Sequence, residues 1–443
     1  MRLTVSEALS ATRGRLLQGT PEGVVTSFHT DSREVVPGGL FFALRGTAMN
    51  GHAFVADATS RGAAGVVVER PVSAAPAVAV HVDDTWAALY DLAGWALARV
   101  RPLVVGVTGS NGKTSTKEMA AAVLEQRHGV LKSEGNLNTE TGLPLTLLGL
   151  EPGHSAAVLE MGMQRAGEIA RLAALARPTV GIVTGVGTVH AEYFQDGRQG
   201  IARAKGELVE ALPPAGLAVL NADDGFFAFL TQLSRAPVLG VGLEAGDLRG
   251  DGYEPLPEGG SRFHIEGVEV RLRLSGRHQA RNALAALAAG RFAGVPLDVG
   301  AEALRQVAVE HRFQERPAAA GYLVIDDAYN ASPESMLAAF EAMAERPTSG
   351  RRLALLGEMR ELGGLAPEAH ERVGRRAREL FDCVGVVDVG HGRLLAEAAG
   401  AELLPDRAAA VAWVRATARP GDRVLVKASH GVALHAAVEE LLR

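Results

Sequence analysis

The chain has 443 residues, of which 47% are hydrophobic and 22% charged, with a formal net charge of −6. This balance is typical of a globular protein with large cores, and it argues against nucleic acid or an anionic membrane as the main partner. The length favours about three domains. Cys383 is the only cysteine, which excludes internal disulfides. No apolar run reaches the ~18 residues needed to span a bilayer and the N-terminus lacks an apolar signal core, so we expect a cytoplasmic protein.

The first hundred residues alternate short strands and helices, and their most informative stretch is Asp31-Ser32-Arg33. Carboxylate, hydroxyl and guanidinium groups lie together there, a combination suited to a phosphorylated sugar nucleotide. A turn capped by Asp31 with a surface Arg33 explains the same residues. Both interpretations stay open from the sequence alone.

A glycine-rich turn follows the apolar run Leu103–Val107, and a helical pattern begins at Lys113. Such a strand, turn and helix form a phosphate cradle, in which Lys113 reaches the outer phosphates and Thr114 contacts magnesium. The strict P-loop spacing requires a glycine where Val107 stands. An ordinary strand–turn–helix corner is therefore the alternative.

Lysine is rare in this chain, because only five of the 45 basic residues are lysine: 113, 117, 132, 205 and 427. A lysine amine can be neutral or covalently modified, whereas arginine keeps its charge. Lys205 therefore marks a position where amine chemistry is expected. Lys117 is predicted on the exposed side of its helix, where its identity needs no functional explanation.

Two predicted strands deliver polar side chains at their carboxyl ends. The strand at 156–159 ends in Glu160, and the strand at 180–183 leads through a glycine-rich loop to His190. Ligands bind at this edge of open α/β sheets, so Glu160 is a candidate magnesium ligand and His190 a candidate metal ligand. A salt-bridged glutamate and a structural histidine are the alternatives.

The central strands alternate with helices, which predicts a doubly wound parallel sheet. Residues 236–274 are predicted to form an antiparallel flap. His278 and Asn282 then share one face at the start of an Ala-rich helix. They are suited to gripping a base or phosphate, and equally to capping the helix.

The third part of the chain is predicted as another α/β layer, with a last helix over 430–442. Its first strand ends in Asp326-Asp327-Ala328-Tyr329-Asn330, just before the helix that begins at Pro333. Its strand at 423–427 ends in Lys427. Paired acids and a rare lysine at strand ends indicate a site.

Together these motifs resemble those of the Mur ligase family. The matching segments are Thr-Gly-Ser-Asn-Gly-Lys-Thr at 108–114, Asp-Ser-Arg at 31–33, Gly-Asn-Leu-Asn at 135–138, Asp-Asp-Ala-Tyr-Asn at 326–330 and Leu-Gly-Glu-Met at 356–359. The resemblance implies an α/β protein of three domains. These would be a small α/β UDP-sugar substrate-binding domain over 1–100, a central doubly wound, P-loop ATPase-like ATP-binding domain over 101–312, and a Rossmann-like C-terminal ligase domain over 313–443.

The implied activity is that of a cytoplasmic, ATP- and Mg²⁺-dependent ligase in peptidoglycan precursor synthesis. It would join D-alanyl-D-alanine to UDP-N-acetylmuramoyl tripeptide through an acyl phosphate, acting as a monomer without nucleic acid or membrane insertion. Tyr329-Asn330 favours this member of the family. A sister ligase that adds one amino acid to a muramoyl peptide, or glutamate to folate, is the runner-up. A nucleotide-binding regulator without catalysis is the alternative outside enzymes.

The resemblance also implies residue roles. ATP would be held by Thr108, Gly109, Ser110, Asn111, Gly112, Lys113, Thr114, Ser115, His278, Asn282, Arg312 and Asp327. Metal would be held by Thr114, Glu160, His190 and Lys205, the last as a carbamate. The catalytic set would be Lys113, Lys205, Glu160 and His190. The substrates would contact Asp31, Ser32, Arg33, Asn136, Asn138, Tyr329, Asn330 and Lys427.

The C-terminal domain is expected to close over the other two before chemistry. Several positions depart from the family pattern. The departures are Thr139, Gly185, Gln279, Ser332 and His430. His430 stands where a fixed arginine charge is usual, and the charge of a histidine depends on pH.

Overall fold

The computed structural model describes residues 1–46, 49–72, 76–346 and 348–443. Within them, the strands are Leu3–Thr4, Arg15–Gln18, Val24–Val25, Ser27–His29, Gly39–Phe42, Gly65–Val68, Val78–His81, Leu103–Thr108, Val130–Lys132, Ala156–Glu160, Val180–Val183, Leu217–Asn221, Val238–Gly242, Leu248–Arg249, Asp251–Pro255, Ser261–Ile265, Val268–Leu272, Gln314–Pro317, Leu323–Asp326, Arg352–Leu356, Cys383–Val387, Glu402–Leu404 and Arg423–Lys427.

The α-helices are Val5–Thr12, Val55–Ser60, Thr85–Val100, Lys113–Leu124, Gly142–Leu147, Glu168–Ala176, Gly197–Glu210, Phe227–Leu233, Arg277–Phe292, Leu297–Leu304, Pro333–Glu345, Ala366–Leu380, Gly392–Ala399, Arg407–Thr417 and Leu434–Leu442. Short 3₁₀ turns lie at Ser32–Glu34, Gly51–Phe54, Ala191–Tyr193, Gly363–Leu365 and His430–Val432. In the described part of the chain, no helix combines the length and apolar character needed to cross a membrane.

The described residues divide into two compact units. The first comprises 1–106, 128–162 and 170–178, and the second comprises 107–127, 163–169 and 179–443. In the first unit, a five-stranded sheet has the order Arg15–Gln18, Val78–His81, Gly65–Val68, Gly39–Phe42, Ser27–His29. Its strands are parallel apart from the antiparallel first pair. A second parallel pair, Val130–Lys132 with Ala156–Glu160, also belongs to this unit.

The second unit contains a parallel series of strands and a small antiparallel sheet. The parallel series runs Val180–Val183, Leu217–Asn221, Val238–Gly242, Leu248–Arg249. The antiparallel sheet has three strands between Asp251 and Leu272. The predicted flap over 236–274 is therefore confirmed only in its second half, because residues 238–249 extend the parallel series instead.

The C-terminal part of the second unit holds a six-stranded sheet of order Gln314–Pro317, Leu323–Asp326, Arg423–Lys427, Arg352–Leu356, Cys383–Val387, Glu402–Leu404. Apart from its first, antiparallel pair, the strands are parallel. Neighbouring residues on one strand, such as Val324 and Ile325, enter different apolar cores. Alternation along a strand places these cores on opposite faces, so helices cover both sides. The predicted α/β class with parallel sheets is confirmed.

Local chemistry explains where the C-terminal helices begin. Ser332 caps the helix Pro333–Glu345, since its hydroxyl accepts from the Ser335 amide and proline occupies the first turn. The last helix was predicted from residue 430, but it begins at Leu434. Ala433 has φ +59° and interrupts the helical path after a short 3₁₀ turn.

Candidate active site

The glycine-rich loop over 108–114, predicted to hold phosphate and called the phosphate loop below, contains two glycines with positive φ. Gly109 has φ +149° and Gly112 has φ +84°. A Cβ at Gly109 would lie 1.8 Å from Thr184 Oγ1, and one at Gly112 would lie 2.6 Å from Asn282 Oδ1. Glycine is therefore needed at both positions for two reasons: the positive φ, and the lack of space for a Cβ.

Gly112 caps the helix Lys113–Leu124 without a side-chain hydrogen bond to its first turn. The first-turn amides and the helix dipole at this end favour an anionic ligand. Lys113 folds back over the loop, where its Nζ donates to the Gly109 carbonyl at 2.9 Å. This geometry is that of a phosphate cradle, which favours the cradle over an ordinary corner.

A second loop braces the first. The Ser110 amide donates to the Gly185 carbonyl at 2.9 Å, and the Ser110 hydroxyl accepts from the Gly187 amide at 2.8 Å. The Thr184 hydroxyl donates to the Asn111 carbonyl. The phosphate loop is thus tied to the segment that leads to His190.

The phosphate loop opens onto a cavity of about 220 Å³ in the second unit. Its lining residues are Asn111, Gly112, Thr114, Ser115, Thr184, Asn221, His278, Gln279, Arg281, Asn282, Arg312, Asp327, Glu334, Ser335, Ala338 and Lys427. Most of the residues predicted for ATP therefore surround one cavity. Asn221, Arg281 and Glu334 also line it and carried no recognisable motif in the sequence.

His278 offers the cavity a neutral imidazole. Burial, the largest cause, lowers the pKa of His278 to about 4, so the ring is uncharged at pH 7. On the same helix, the Asn282 amide donates to Gln279 Oε1 at 3.1 Å. A neutral ring beside two amides suits a heteroaromatic base, which stacks and forms directional hydrogen bonds.

The C-terminal part of the unit supplies cations and a carboxylate to the same cavity. Arg312 Nη2 lies 3.4 Å from Thr114 Oγ1, and its guanidinium carbon lies 4.2 Å from the centre of the Tyr329 ring. The buried Lys427 Nζ lies 2.6 Å from Asp327 Oδ2 and donates to the Asn330 carbonyl at 3.0 Å. Burial lowers the pKa of Lys427, and Asp327 opposes that shift.

Lys205 is only 2% exposed on the helix Gly197–Glu210. Burial, and secondly the charge of Lys113, hold the pKa of Lys205 well below its usual range. A neutral amine is the form that adds carbon dioxide to give a carbamate.

Lys117 is also buried, at 1% exposure, and lies 3.1 Å from Glu118. Its predicted place on the exposed side of its helix is therefore wrong.

Glu160 is 3% exposed in the first unit, where Asn138 donates its side-chain amide to Glu160 Oε1 at 2.8 Å. The other oxygen, Oε2, is buried and has no hydrogen-bond partner among the described residues. A buried carboxylate oxygen without a donor fits a divalent cation. Glu160 belongs to the first unit, whereas Thr114, His190 and Lys205 belong to the second. Across the described residues, no three His, Cys, Asp or Glu side chains are grouped as a metal site.

The Asp31-Ser32-Arg33 stretch forms a 3₁₀ turn capped by Asp31, whose carboxylate accepts from the Arg33 amide at 2.9 Å. The same carboxylate pairs with the Arg33 guanidinium, and this pairing lowers the pKa of Asp31 to about 2. Ser32 is buried and Arg33 exposed. The capped turn is therefore present, and a substrate contact by Asp31, Ser32 and Arg33 stays a prediction. Asn136 is exposed, and its substrate contact also stays a prediction.

His190 and Glu361 make a short contact, with Nδ1 2.5 Å from Oε2. Glu334 accepts from both the amide and the hydroxyl of Thr188, at 2.9 and 3.2 Å. Glu361 and Glu334 come from the C-terminal part of the unit and hold the segment that carries His190. Glu361 belongs to the Glu-Leu-Gly that follows the Leu-Gly-Glu-Met match at 356–359, although no contact with His190 was predicted from it, and Glu334 lies in no recognised motif.

Three family profiles match this chain in sequence. They are the Mur ligase family catalytic domain at residues 24–100, the Mur ligase middle domain at 107–290, and the Mur ligase glutamate ligase domain at 311–430. Together they cover most of the chain.

A relative from Synechocystis sp., named UDP-N-acetylmuramoyl-tripeptide–D-alanyl-D-alanine ligase, is 38% identical over 94% of this chain and 92% of its own length. Among solved structures, MurF from Acinetobacter baumannii superposes with a TM-score of 0.91 at 30% identity, covering 100% of this chain and 99% of the other. MurF ligase from Thermotoga maritima in complex with ADP gives a TM-score of 0.83 at 31% identity, covering 94% and 97%.

Proposed function

Because the chain belongs to the Mur ligase family, we propose that it is an ATP-dependent ligase acting in peptidoglycan precursor synthesis in the cytoplasm. It joins D-alanyl-D-alanine to the terminal carboxyl of UDP-N-acetylmuramoyl tripeptide. The full-length similarity to a ligase of that name supports this activity. We propose domains at 1–100, 101–312 and 313–443, and a monomeric state.

The observation that carries the proposal is the cavity at the phosphate loop. Residues of the phosphate loop, a neutral imidazole and the cationic side chains of Arg281, Arg312 and Lys427 surround one space. The triphosphate lies against Gly112–Thr114, with Lys113 and Arg312 facing its charge, and the base lies towards His278 and Asn282. Phosphoryl transfer needs positioning and charge neutralisation more than covalent help from the protein, and this site supplies both.

The chemistry follows from the weakness of a carboxylate as an electrophile. The substrate carboxylate attacks the γ-phosphorus, ADP leaves, and an acyl phosphate forms. The dipeptide amine then attacks the acyl carbon, inorganic phosphate leaves, and the nitrogen loses a proton to solvent. Water hydrolyses acyl phosphates, so closure of the C-terminal domain over the substrates is expected before transfer.

Magnesium fits the donors that the chain offers. Thr114, Glu160, His190 and a carbamate on Lys205 would hold divalent ions, which neutralise phosphate charge when bound. The lowered pKa of Lys205 favours the carbamate, because a neutral amine forms the N–C bond to carbon dioxide and releases a proton.

The substrate contacts proposed for this chain lie in three groups. Asp31, Ser32 and Arg33 are proposed at the uridine end, and Asn136 and Asn138 at the muramoyl peptide. Tyr329, Asn330 and Lys427 are proposed as further substrate contacts.

Phosphate release tests the proposal directly. Purified protein with ATP, Mg²⁺ and the muramoyl tripeptide should release phosphate rapidly only when D-alanyl-D-alanine is added, with formation of the pentapeptide product by mass spectrometry. Lys113→Met is the matched inactive control. Preference for a single amino acid, or for glutamate with folate, would identify a sister ligase instead. Nucleotide binding without turnover of any of these substrates would indicate a nucleotide-binding regulator without catalysis.

A further inference from the structure

The segment Gly187–His190 is held by two carboxylates from the C-terminal part of the second unit. Glu334, in the first turn of its helix, accepts two hydrogen bonds from Thr188. Glu361 lies 2.5 Å from His190 Nδ1. The rest of the segment leaves little space, since a Cβ at Gly187 would lie 2.9 Å from the Glu334 carboxyl carbon.

The backbone at the His190–Glu361 contact is specialised on both sides. His190 has φ +69° and Glu361 has φ +62°, both in the left-handed region that non-glycine residues rarely adopt. The Glu192 amide also donates to the Glu361 carbonyl at 3.4 Å. Such conformations persist only where surrounding contacts impose them, and they concentrate at functional sites.

We propose that Glu361 is a positioning residue that fixes the tautomer and ring orientation of His190. A carboxylate at Nδ1 holds the ring proton there and leaves Nε2 with the lone pair that a divalent metal needs. Carboxylate–histidine–metal arrangements use this division of roles. The inference rests on the proposed metal role of His190 and deepens it.

The position of Glu361 along the chain determines when its contact with His190 can form. Glu334 and Glu361 follow His190 by well over a hundred residues and belong to the part predicted to close. His190 therefore acquires its orienting partner only when that part is docked. The contact is short but poorly aligned as a hydrogen bond, as catalytic hydrogen bonds often are before substrates bind.

The tautomer of His190 tests the inference without substrates or metal. In full-length protein with ¹⁵N-labelled histidine, at a pH where imidazole is neutral, His190 Nδ1 should carry the proton; His190→Gln identifies the signal. Glu361→Ala should shift the proton towards Nε2, and Glu361→Gln, whose amide oxygen still accepts, should retain it at Nδ1. The same tautomer in Glu361→Ala as in the unaltered chain would overturn the inference.

A second measurement separates positioning from general stability. The Mg²⁺ concentration for half-maximal phosphate release should rise about 10–100-fold in Glu361→Ala, the usual cost of losing such a partner. Glu192→Gln removes a neighbouring exposed carboxylate and should leave it unchanged. An unchanged Mg²⁺ requirement in Glu361→Ala would reject the role. Failure of the proposed ligase activity would show instead as no phosphate release in the unaltered chain, with the tautomer result unaffected.

Discussion

Two buried lysines in the second unit occupy opposite electrostatic settings. Lys427 and Lys205 are each only 2% exposed. Lys427 lies 2.6 Å from the Asp327 carboxylate, which opposes the effect of burial on its pKa. Among the described residues no carboxylate opposes the effect of burial on the pKa of Lys205, and the nearby charge of Lys113 adds to that effect.

The difference shows that burial alone does not assign a role to a lysine. A buried ammonium with a carboxylate partner is a fixed cation that can orient an anionic ligand. A buried amine beside another cation is pushed towards its neutral, nucleophilic form. Substituting either lysine tests this contrast, and the exposed pair of Asp31 and Arg33 extends it to the protein surface.

The largest expected effect is on stability at the Lys427 pair. Lys427→Met leaves the Asp327 carboxylate buried and unpaired, so the free energy of unfolding should fall by about 3–5 kcal/mol. Adding Asp327→Asn removes the unpaired charge and should recover most of the loss. Urea unfolding of the two single variants and the double variant measures this coupling. Additive losses would show that the two side chains do not act as a pair.

The next effect is on turnover at Lys205. Lys205→Arg replaces the amine by a guanidinium that stays charged and cannot form the same carbamate, and phosphate release should fall about 10²–10³-fold, the scale of losing an electrostatic group at a reacting centre. Activity of the unaltered chain should also fall when carbon dioxide is removed from the buffer and return with bicarbonate. Arg203→Lys, on the same helix and exposed, is the matched control. Near-normal turnover of Lys205→Arg would exclude the modified lysine.

The smallest effect is expected at the exposed pair in the first unit. The Arg33 side chain is 79% exposed, so Arg33→Met should change the free energy of unfolding by less than about 1 kcal/mol. If Arg33 meets the sugar nucleotide, KM for the muramoyl substrate should rise about tenfold with kcat unchanged. Arg99→Met, an exposed arginine of the same unit that pairs with Glu7, is the control. An unchanged KM would reduce Arg33 to a surface residue beside a capped turn.

Much of the fold and part of the site were predictable, because their causes are local. The glycines at 109 and 112 set the turn, and apolar periodicity set the strands around it. The exposed side predicted for Lys117 was wrong, because helical periodicity gives a residue's angle on the helix but not which neighbours cover it. Residues 238–249 were expected in the flap, yet short alternating strands fit a parallel neighbour equally well.

The carboxylate of Glu334, and the partner that Glu361 meets, show why the remainder of the site was beyond prediction. Glu334 meets Thr188 across a separation of 146 residues, and each reads as an ordinary polar residue in its own segment. Asn221 reaches the cavity from the end of another strand, Leu217–Asn221. Only folding brings such groups within hydrogen-bond distance, so no local pattern marks them.

The sequence by itself determined the phosphate loop, the α/β class and the family, since glycine conformation, side-chain periodicity and motif chemistry act over a few residues. The tertiary structure alone decided which buried lysine is paired with a carboxylate, which carboxylates hold the segment that carries His190, and which side chains share the cavity at the phosphate loop. Those properties depend on burial and on charges that are far apart along the chain and close in space, where a low dielectric makes them matter most.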